Sequence, residues 1–517
     1  MDEQNINVQQ EIKCEQKPQR IFTDFEVVFS WLSLVVGYLF CRVNPVTENS
    51  FGGFGFVILI FLFTAIFMRL KGIKHNKMSM SAAVSAIIIN FTLLFSDNSL
   101  LCGLAYLYCA VAYCYFVTSS GGNFIKKGFN NYILMDFFKA LFVLPFYSFD
   151  AFFRAVFSGK AAKSGKVILK IVLGIILTII PTAIVLLLLS YDSAFSELLS
   201  NIFDFSVVDV FSHIGSLILG IPIASYIFGL YVSSADKKCE NVITEQECIK
   251  AAEKVGVIPA LTCIFAVTPI LFLYAVFFIS QWDYYVSGFT GILPQNFSYA
   301  NYAREGFFQL CAVSIINLLI TTFIGLFMKR VEKSGKIIYK CIAIVFSVFT
   351  LILISTAVAK MVMYIDCYGL TQKRVYSTWF MLFLAIVFIL LGIRQFAPKI
   401  NTVALSLAVG FVMLSALSLV NADRLIARYN VDRYIDNTLK TVDVSALHEL
   451  GDPAIPELVR LEKYLIKNKK NATDRELYYV VRDTLSDCER DREGKRPNIF
   501  EFDIPTFAAD RALENRE

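Results

Sequence analysis

Apolar runs long enough, or nearly so, to cross a bilayer recur from Phe25 to Val420 and then stop. A hydrocarbon core takes about 20 helical residues, and no soluble fold buries a series of such runs. Hydrophobic residues make up 56% of the chain and charged residues 18%, against about 25% charged in an average soluble domain. The chain therefore reads as an all-α, polytopic membrane protein. The 97 residues after the break, Asn421 to Glu517, have the composition of an ordinary water-soluble chain, with 17 Lys/Arg and 20 Asp/Glu. That stretch is net −3, which leaves +8 for the remainder. A mild basic excess in a polytopic chain reflects cytoplasmic loops rather than nucleic-acid binding.

The first run, Phe25 to Cys41, follows a polar segment of mixed charge and ends in Phe40, Cys41 and Arg42. It lacks the basic start and small-residue end of a cleaved signal and is expected to remain as the first span. Further runs cover Gly53 to Met68, Ser79 to Phe95, Leu100 to Val117, Val167 to Ser190, and Val207 to Val232. The series closes with Val257 to Ile279, Gly306 to Phe327, Ile337 to Ala359, Ser377 to Ile393, and Ile400 to Val420, a total of eleven. Pro181 and Pro222 lie inside their runs, where they remove a backbone donor and kink a helix; they read as packing features or as hinges. Residues 131–158 differ: Asp136, Lys139, Asp150 and Arg154 interrupt a Phe-rich sequence. Charges scattered among aromatic residues suit interfacial or re-entrant helices better than a crossing pair.

Basic residues give the orientation. On one side of an eleven-span topology the N-terminus and loops collect 26 Lys/Arg; the opposite loops hold five, Arg42, Arg304, Lys360, Lys373 and Arg374. Cytoplasmic loops are the basic ones, so residues 1–24 are expected inside and residues 421–517 outside, with 25–420 as the membrane domain. The loops Ser96 to Ser99 and Tyr191 to Ser206 carry acidic residues and no basic ones, which agrees. The tail reads as helical. Asn421 and Asp423 offer cap chemistry for a helix that is expected to continue the last span. Pro456 opens a helix carrying Leu458, Leu461, Tyr464 and Leu465, and Asp474 to Arg490 presents Leu477, Val481 and Leu485 on one face.

Most of the twelve cysteines lie in or beside apolar runs without paired spacing and read as small buried hydrophobes, while three histidines stand far apart. No metal site and no cofactor is expected from them. The spans are also poor in central ionisable residues, which disfavours an ion-coupled transporter.

Polar residues gather instead where late spans meet the outer side. Tyr302, Arg304 and Glu305 enter the span from Gly306, and Tyr302, Glu305, Gln309 and Asn317 share about a third of the helix circumference. This stripe reads either as interhelical hydrogen bonding or as a substrate-facing cleft. A second group joins two spans: Tyr364, Asp366, Tyr368, Gly369, Leu370, Thr371, Lys373 and Arg374. A third leaves the last span: Asn421, Asp423, Arg424, Arg428, Tyr429, Asn430, Arg433 and Tyr434. Arg304, Arg374, Arg428 and Arg433 have the planar fork that holds phosphate or carboxylate, and Glu305, Asp366 or Asp423 could transfer protons. The competing reading makes the same residues salt bridges that lock the tail to the membrane domain.

These residues also carry a resemblance. Tyr302-Ala-Arg304-Glu305-Gly306-Phe307-Phe308-Gln309-Leu310, then Tyr364 to Arg374 with Tyr368-Gly369-Leu370-Thr371, then Asn421-Ala-Asp423 to Arg428-Tyr429-Asn430 resemble bacterial polytopic membrane proteins grouped as domains of unknown function of the 4153 and 4173 type. The likeness runs from about Tyr299 to Leu458. The family often has Pro where this chain has Ala422, a departure confined to the local turn. The resemblance implies a bacterial inner-membrane protein and brings no activity with it. The functional expectation is a cell-envelope scaffold or sensor that binds a partner protein or an anionic lipid-linked molecule at its outer face. Its alternative is an enzyme acting on a lipid-linked phosphate, with Arg304, Arg374 and Arg428 holding phosphate and Glu305 or Asp366 moving a proton; a transporter ranks third.

Overall fold

The computed structural model describes residues 20–42, 50–158, 185, 207–237, 243–280, 282, 307–329, 333–468, 472–492 and 502–516. Regular structure among them is helical, apart from one isolated bridge between Ile258 and Met328. In chain order the first helices are α1 (Asp24–Arg42), α2 (Ser50–Leu70), α3 (Lys77–Asn90), α4 (Thr92–Phe95) and α5 (Ser99–Ser120). Short pieces follow: α6 (Ile133–Phe138), a π-helical turn (Lys139–Val143), α7 (Leu144–Tyr147) and α8 (Ala151–Val156). Then come α9 (Val207–Ala235), α10 (Glu245–Val255), α11 (Ala260–Ser280), α12 (Phe307–Phe327), α13 (Lys333–Tyr368), α14 (Gln372–Phe396) and α15 (Thr402–Leu419). The tail forms α16 (Ala422–Ile435), α17 (Val444–His448), a 3₁₀ turn (Asp452–Ala454), α18 (Ile455–Lys467), α19 (Ala472–Arg490) and α20 (Ile504–Glu514).

Among the described residues, ten helices are long and apolar enough to cross a membrane. They coincide with ten of the runs read from the sequence; Val167 to Ser190, with Pro181, lies outside the described residues apart from Val185. The chain is a multi-pass helical membrane protein. Pro222 sits within an unbroken α9.

Two compact units divide the chain: Met1–Arg42 with Ser148–Gly229, and Val43–Tyr147 with Leu230–Glu517. In the first, α1 meets α9 at Gly37 and Gly220, where a Cβ on Gly37 would lie 2.2 Å from the Gly220 carbonyl oxygen. The missing side chains let the two backbones touch, as small residues do in membrane helix pairs. Phe22, Phe29 and Phe152 surround Phe228 in this unit.

The second unit packs α3 on α5 and α12 on α13 and α14. Phe307, Leu310, Leu353, Ala357, Met381 and Phe388 make one of its buried cores. Two groups of polar side chains inside this unit are matched across helices. The Thr64 hydroxyl lies 2.6 Å from that of Tyr231 and donates to that of Tyr113 at 3.1 Å. Asn317 accepts from the Tyr274 hydroxyl at 2.6 Å and donates to Thr350 Oγ1 at 2.9 Å, tying α12 to α11 and α13.

Three local expectations change. Lys360, read as a loop residue, is buried within α13, which spans 36 residues; at 1.5 Å per residue this is about 54 Å, well beyond a hydrocarbon core of about 30 Å. The last span does not run on into the tail: α15 ends at Leu419 and Asn421 takes a left-handed φ of 49° before α16 starts. The tail also has one helix more than its apolar spacing suggested, α20. Its buried core includes Ile426, Val431, Leu458, Leu461, Leu465, Leu485 and Ala509, and Arg516 grips Glu462 through two bonds of 2.8 and 2.9 Å.

Asn317→Ala should lower the thermal midpoint of the detergent-solubilised chain modestly, because interhelical hydrogen bonds in membranes are worth about 0.6 to 1.7 kcal/mol. An unchanged midpoint in a temperature-dependent aggregation assay would show that Tyr274 and Thr350 find other partners.

Candidate functional site

A helix reversal between two membrane spans leaves backbone groups that need partners. At the α13–α14 reversal Gly369 adopts φ +74°, and its N–H donates to the Ile365 carbonyl at 2.8 Å. The next residue is held by the tail: Leu370 N–H donates to Asn430 Oδ1 at 2.7 Å, and Asn430 Nδ2 donates to the Leu370 carbonyl at 2.8 Å. One buried carboxamide thus satisfies both groups of one residue. Glycine is required beside it on two counts, since a Cβ on Gly369 would lie 2.4 Å from Asn430 Oδ1 and the positive φ disfavours L side chains.

Two arginines complete the clasp. Arg374 donates to the Tyr368 carbonyl at 3.0 Å and to the Gly369 carbonyl, with its guanidinium 4.0 Å from the centre of the Tyr364 ring. Arg433, from α16, donates to the Ile365 carbonyl and the Tyr429 hydroxyl, both at 3.3 Å, and lies 3.8 Å from Asp366. Both cations therefore sit on the final carbonyls of α13, where the helix dipole favours positive charge.

Asp423 is buried at the first turn of α16, which Asn421 caps by accepting from Arg424 N–H at 3.1 Å. Its carboxylate accepts from Gln372 Nε2 at 3.0 Å and the Tyr376 hydroxyl at 3.3 Å, and also from Asn98. Burial pushes this carboxyl above its ordinary range, and the three donors oppose the rise in part. The Asp97 carboxylate reaches the tail as well, because a Cβ on Gly451, at φ +71°, would meet its Oδ2 at 3.2 Å. The α4–α5 turn, the α13–α14 turn and the start of the tail thus share one end of the second unit.

The sequence-derived candidates divide accordingly. Tyr364, Asp366, Tyr368, Arg374, Asn421, Asp423, Tyr429 and Arg433 come together in this clasp. Tyr302, Arg304 and Glu305 lie outside the described residues. Gln309 is exposed on α12 while Asn317 is buried, so the polar stripe does not face one environment. Arg428 is exposed and pairs with Asp432 at 3.6 Å, which in turn meets Arg460 at 2.6 Å. Gln372, Tyr376 and Asn98 escape sequence reasoning, since their roles depend on which loops meet.

The chain belongs to the family described as a domain of unknown function (DUF4153). The family model matches residues 83–461, a wider stretch than the motif-bearing part from Tyr299, and it takes in both the clasp and the α4–α5 turn. No curated protein and no solved structure matches the chain. Among the described residues, no group of three or more His, Cys, Asp and Glu is placed to hold a metal ion.

A second polar centre lies at the opposite end of the same unit. Asn131 accepts from Val403 N–H at 3.1 Å and Asn401 donates to the Phe129 carbonyl at 2.8 Å, joining the α14–α15 turn to the segment before α6. Here Asp136 and Lys139 are buried one turn apart. Asp150 and Arg154, which belong to the first unit, are exposed and paired at 2.9 Å. The four charges, read from the sequence as one interfacial group, therefore divide by burial. Asp136 accepts from Ile125 N–H at 2.8 Å, and burial raises its carboxyl to about 6 against the lowering effects of that bond and of Lys139. The signal available in sequence was an opposite-charge pair at i,i+3 within an apolar run.

Two outcomes follow from these geometries. Gly369→Ala and Asn430→Ala should each free the tail from the α13–α14 turn, the second at a cost of about 1–3 kcal/mol for stranding the Leu370 groups. Limited proteolysis between Val420 and Leu439 reads this as faster cleavage. Raised in the folded state, the Asp136 carboxyl holds its proton more tightly there, so its contribution is full below an ordinary value of about 3.9 and is lost as pH rises through about 6. Thermal midpoints of Asp136→Asn between pH 4 and 7 should lack that decline, and a slope equal to that of the unaltered chain would refute the assignment.

Proposed function

We propose that this protein is a bacterial inner-membrane component of the cell envelope that acts as a scaffold or sensor. Its N-terminus is cytoplasmic, the tail from Asn421 is extracytoplasmic, and the working surface is the outer face around the clasp. Residues 131–158 are then interfacial or re-entrant on the cytoplasmic side. The outer face binds a partner protein or an anionic lipid-linked molecule.

The observation that supports this reading is the division of labour among the cations. Arg374 and Arg433 are committed to the carbonyls of α13. Lys373, Arg424, Arg428 and Lys440 are exposed around them. The inner arginines hold a rigid platform, and the outer set gives it a basic rim suited to an anionic group. A phosphate-transfer site would need Arg374 to leave three partners, the two carbonyls and the Tyr364 ring, before holding substrate, so the scaffold reading is preferred over the enzyme.

Two measurements test it. Paired reporters fused after Glu517, one active only inside and one only outside, should report the outside. In native mass spectrometry of the full chain, a polyprenyl diphosphate should be retained over a neutral lipid, and Arg424→Glu with Arg428→Glu should reduce that retention about tenfold. An inside C-terminus would remove the outer-face assignment. Equal retention of charged and neutral lipids, with no captured protein lost on charge reversal, would remove the basic rim as a binding surface.

A further inference from the structure

Helix α20 is short, yet its position relative to the spans is well determined by its neighbours. It packs against α4, the last turn of the span Lys77–Phe95. Its N-cap, Asp503, is buried, accepts from Thr506 N–H at 2.7 Å, and lies within electrostatic reach of Cys102 in the first turn of α5. The start of α20 is therefore level with the point where one span ends and the next begins. Around that buried cap the apolar side chains point outward: Phe502, Ile504 and Phe507 are 45%, 39% and 56% exposed. Phe502 and Phe507 have ring centres 6.2 Å apart and form one patch.

We infer that this edge of the tail is a membrane-interface anchor, with Phe502, Ile504 and Phe507 seated among lipid headgroups and the first acyl carbons. Three physical points carry the assignment. Leu100, two residues before Cys102, is also exposed, so the span itself presents an exposed apolar side chain at that level. Ile504, Phe507 and Arg511 follow at i, i+3 and i+7, and Arg511 is exposed; a basic residue on the apolar side of an amphipathic helix can reach phosphate while its neighbours enter the interface. Aromatic side chains concentrate at this depth in membrane proteins. The anchor fixes the tail at its far end, as Asn430 fixes it at its near end.

The test is photo-cross-linking in the full chain reconstituted in phosphatidylethanolamine and phosphatidylglycerol vesicles. The probe is p-benzoylphenylalanine placed in turn at Phe502, Phe507, Leu100 and Tyr479. Leu100 supplies the lipid-facing reference and Tyr479, exposed on α19, the comparison within the tail. Lipid adducts at Phe502 and Phe507 should approach the Leu100 yield and exceed that at Tyr479 about tenfold. Adducts to a protein, or lipid yields at both positions no greater than at Tyr479 while Leu100 is labelled, would overturn the anchor.

Discussion

Leu370 sits at a reversal between two membrane helices, where its amide and carbonyl cannot both be met by the helices themselves. Asn430 meets both. An unpaired backbone group near hydrocarbon costs several kcal/mol, so the carboxamide is a condition for the turn to exist in this form. It also makes the tail part of the membrane domain's own structure. Arg374 and Arg433 strengthen the same turn by neutralising the carbonyl end of α13.

The same economy governs the interior of the second unit. Thr64, Tyr113 and Tyr231 bond to one another, as do Tyr274, Asn317 and Thr350. These six side chains find partners on different helices, which fixes rotation and register where apolar packing alone discriminates weakly. Asp136 and Lys139 apply the rule to charge: burial raises the carboxyl, and a backbone donor with a neighbouring cation holds the rise to about 6.

The two ends of this unit differ in kind. The Asp97 end is built from side chains reaching backbone groups of other elements, supplied by α14 and by the tail. The Asn131 end is built from short helices and turns closing on one another, with a π-helical turn at Lys139–Val143. A π turn widens the helix locally and recurs at functional positions, so both ends carry features that packing alone does not require.

By itself the sequence determined the helical class, the positions of ten apolar helices long enough to cross a membrane, and many of the residues gathered near the α13–α14 turn. Hydrophobic run length and composition report transfer free energy, which is local and additive along the chain. Tertiary structure decided what those residues do. Whether Arg374 faces a ligand or a carbonyl, whether Lys360 lies in a loop or a buried helix, and whether Asp136 is exposed or covered by other elements depend on which elements meet. Such meetings involve residues 60 positions apart, as for Leu370 and Asn430, and no local periodicity encodes them. The geometric reason is that a hydrogen bond is directional and short, so its partner is set only when the packed helices have fixed their relative rotation.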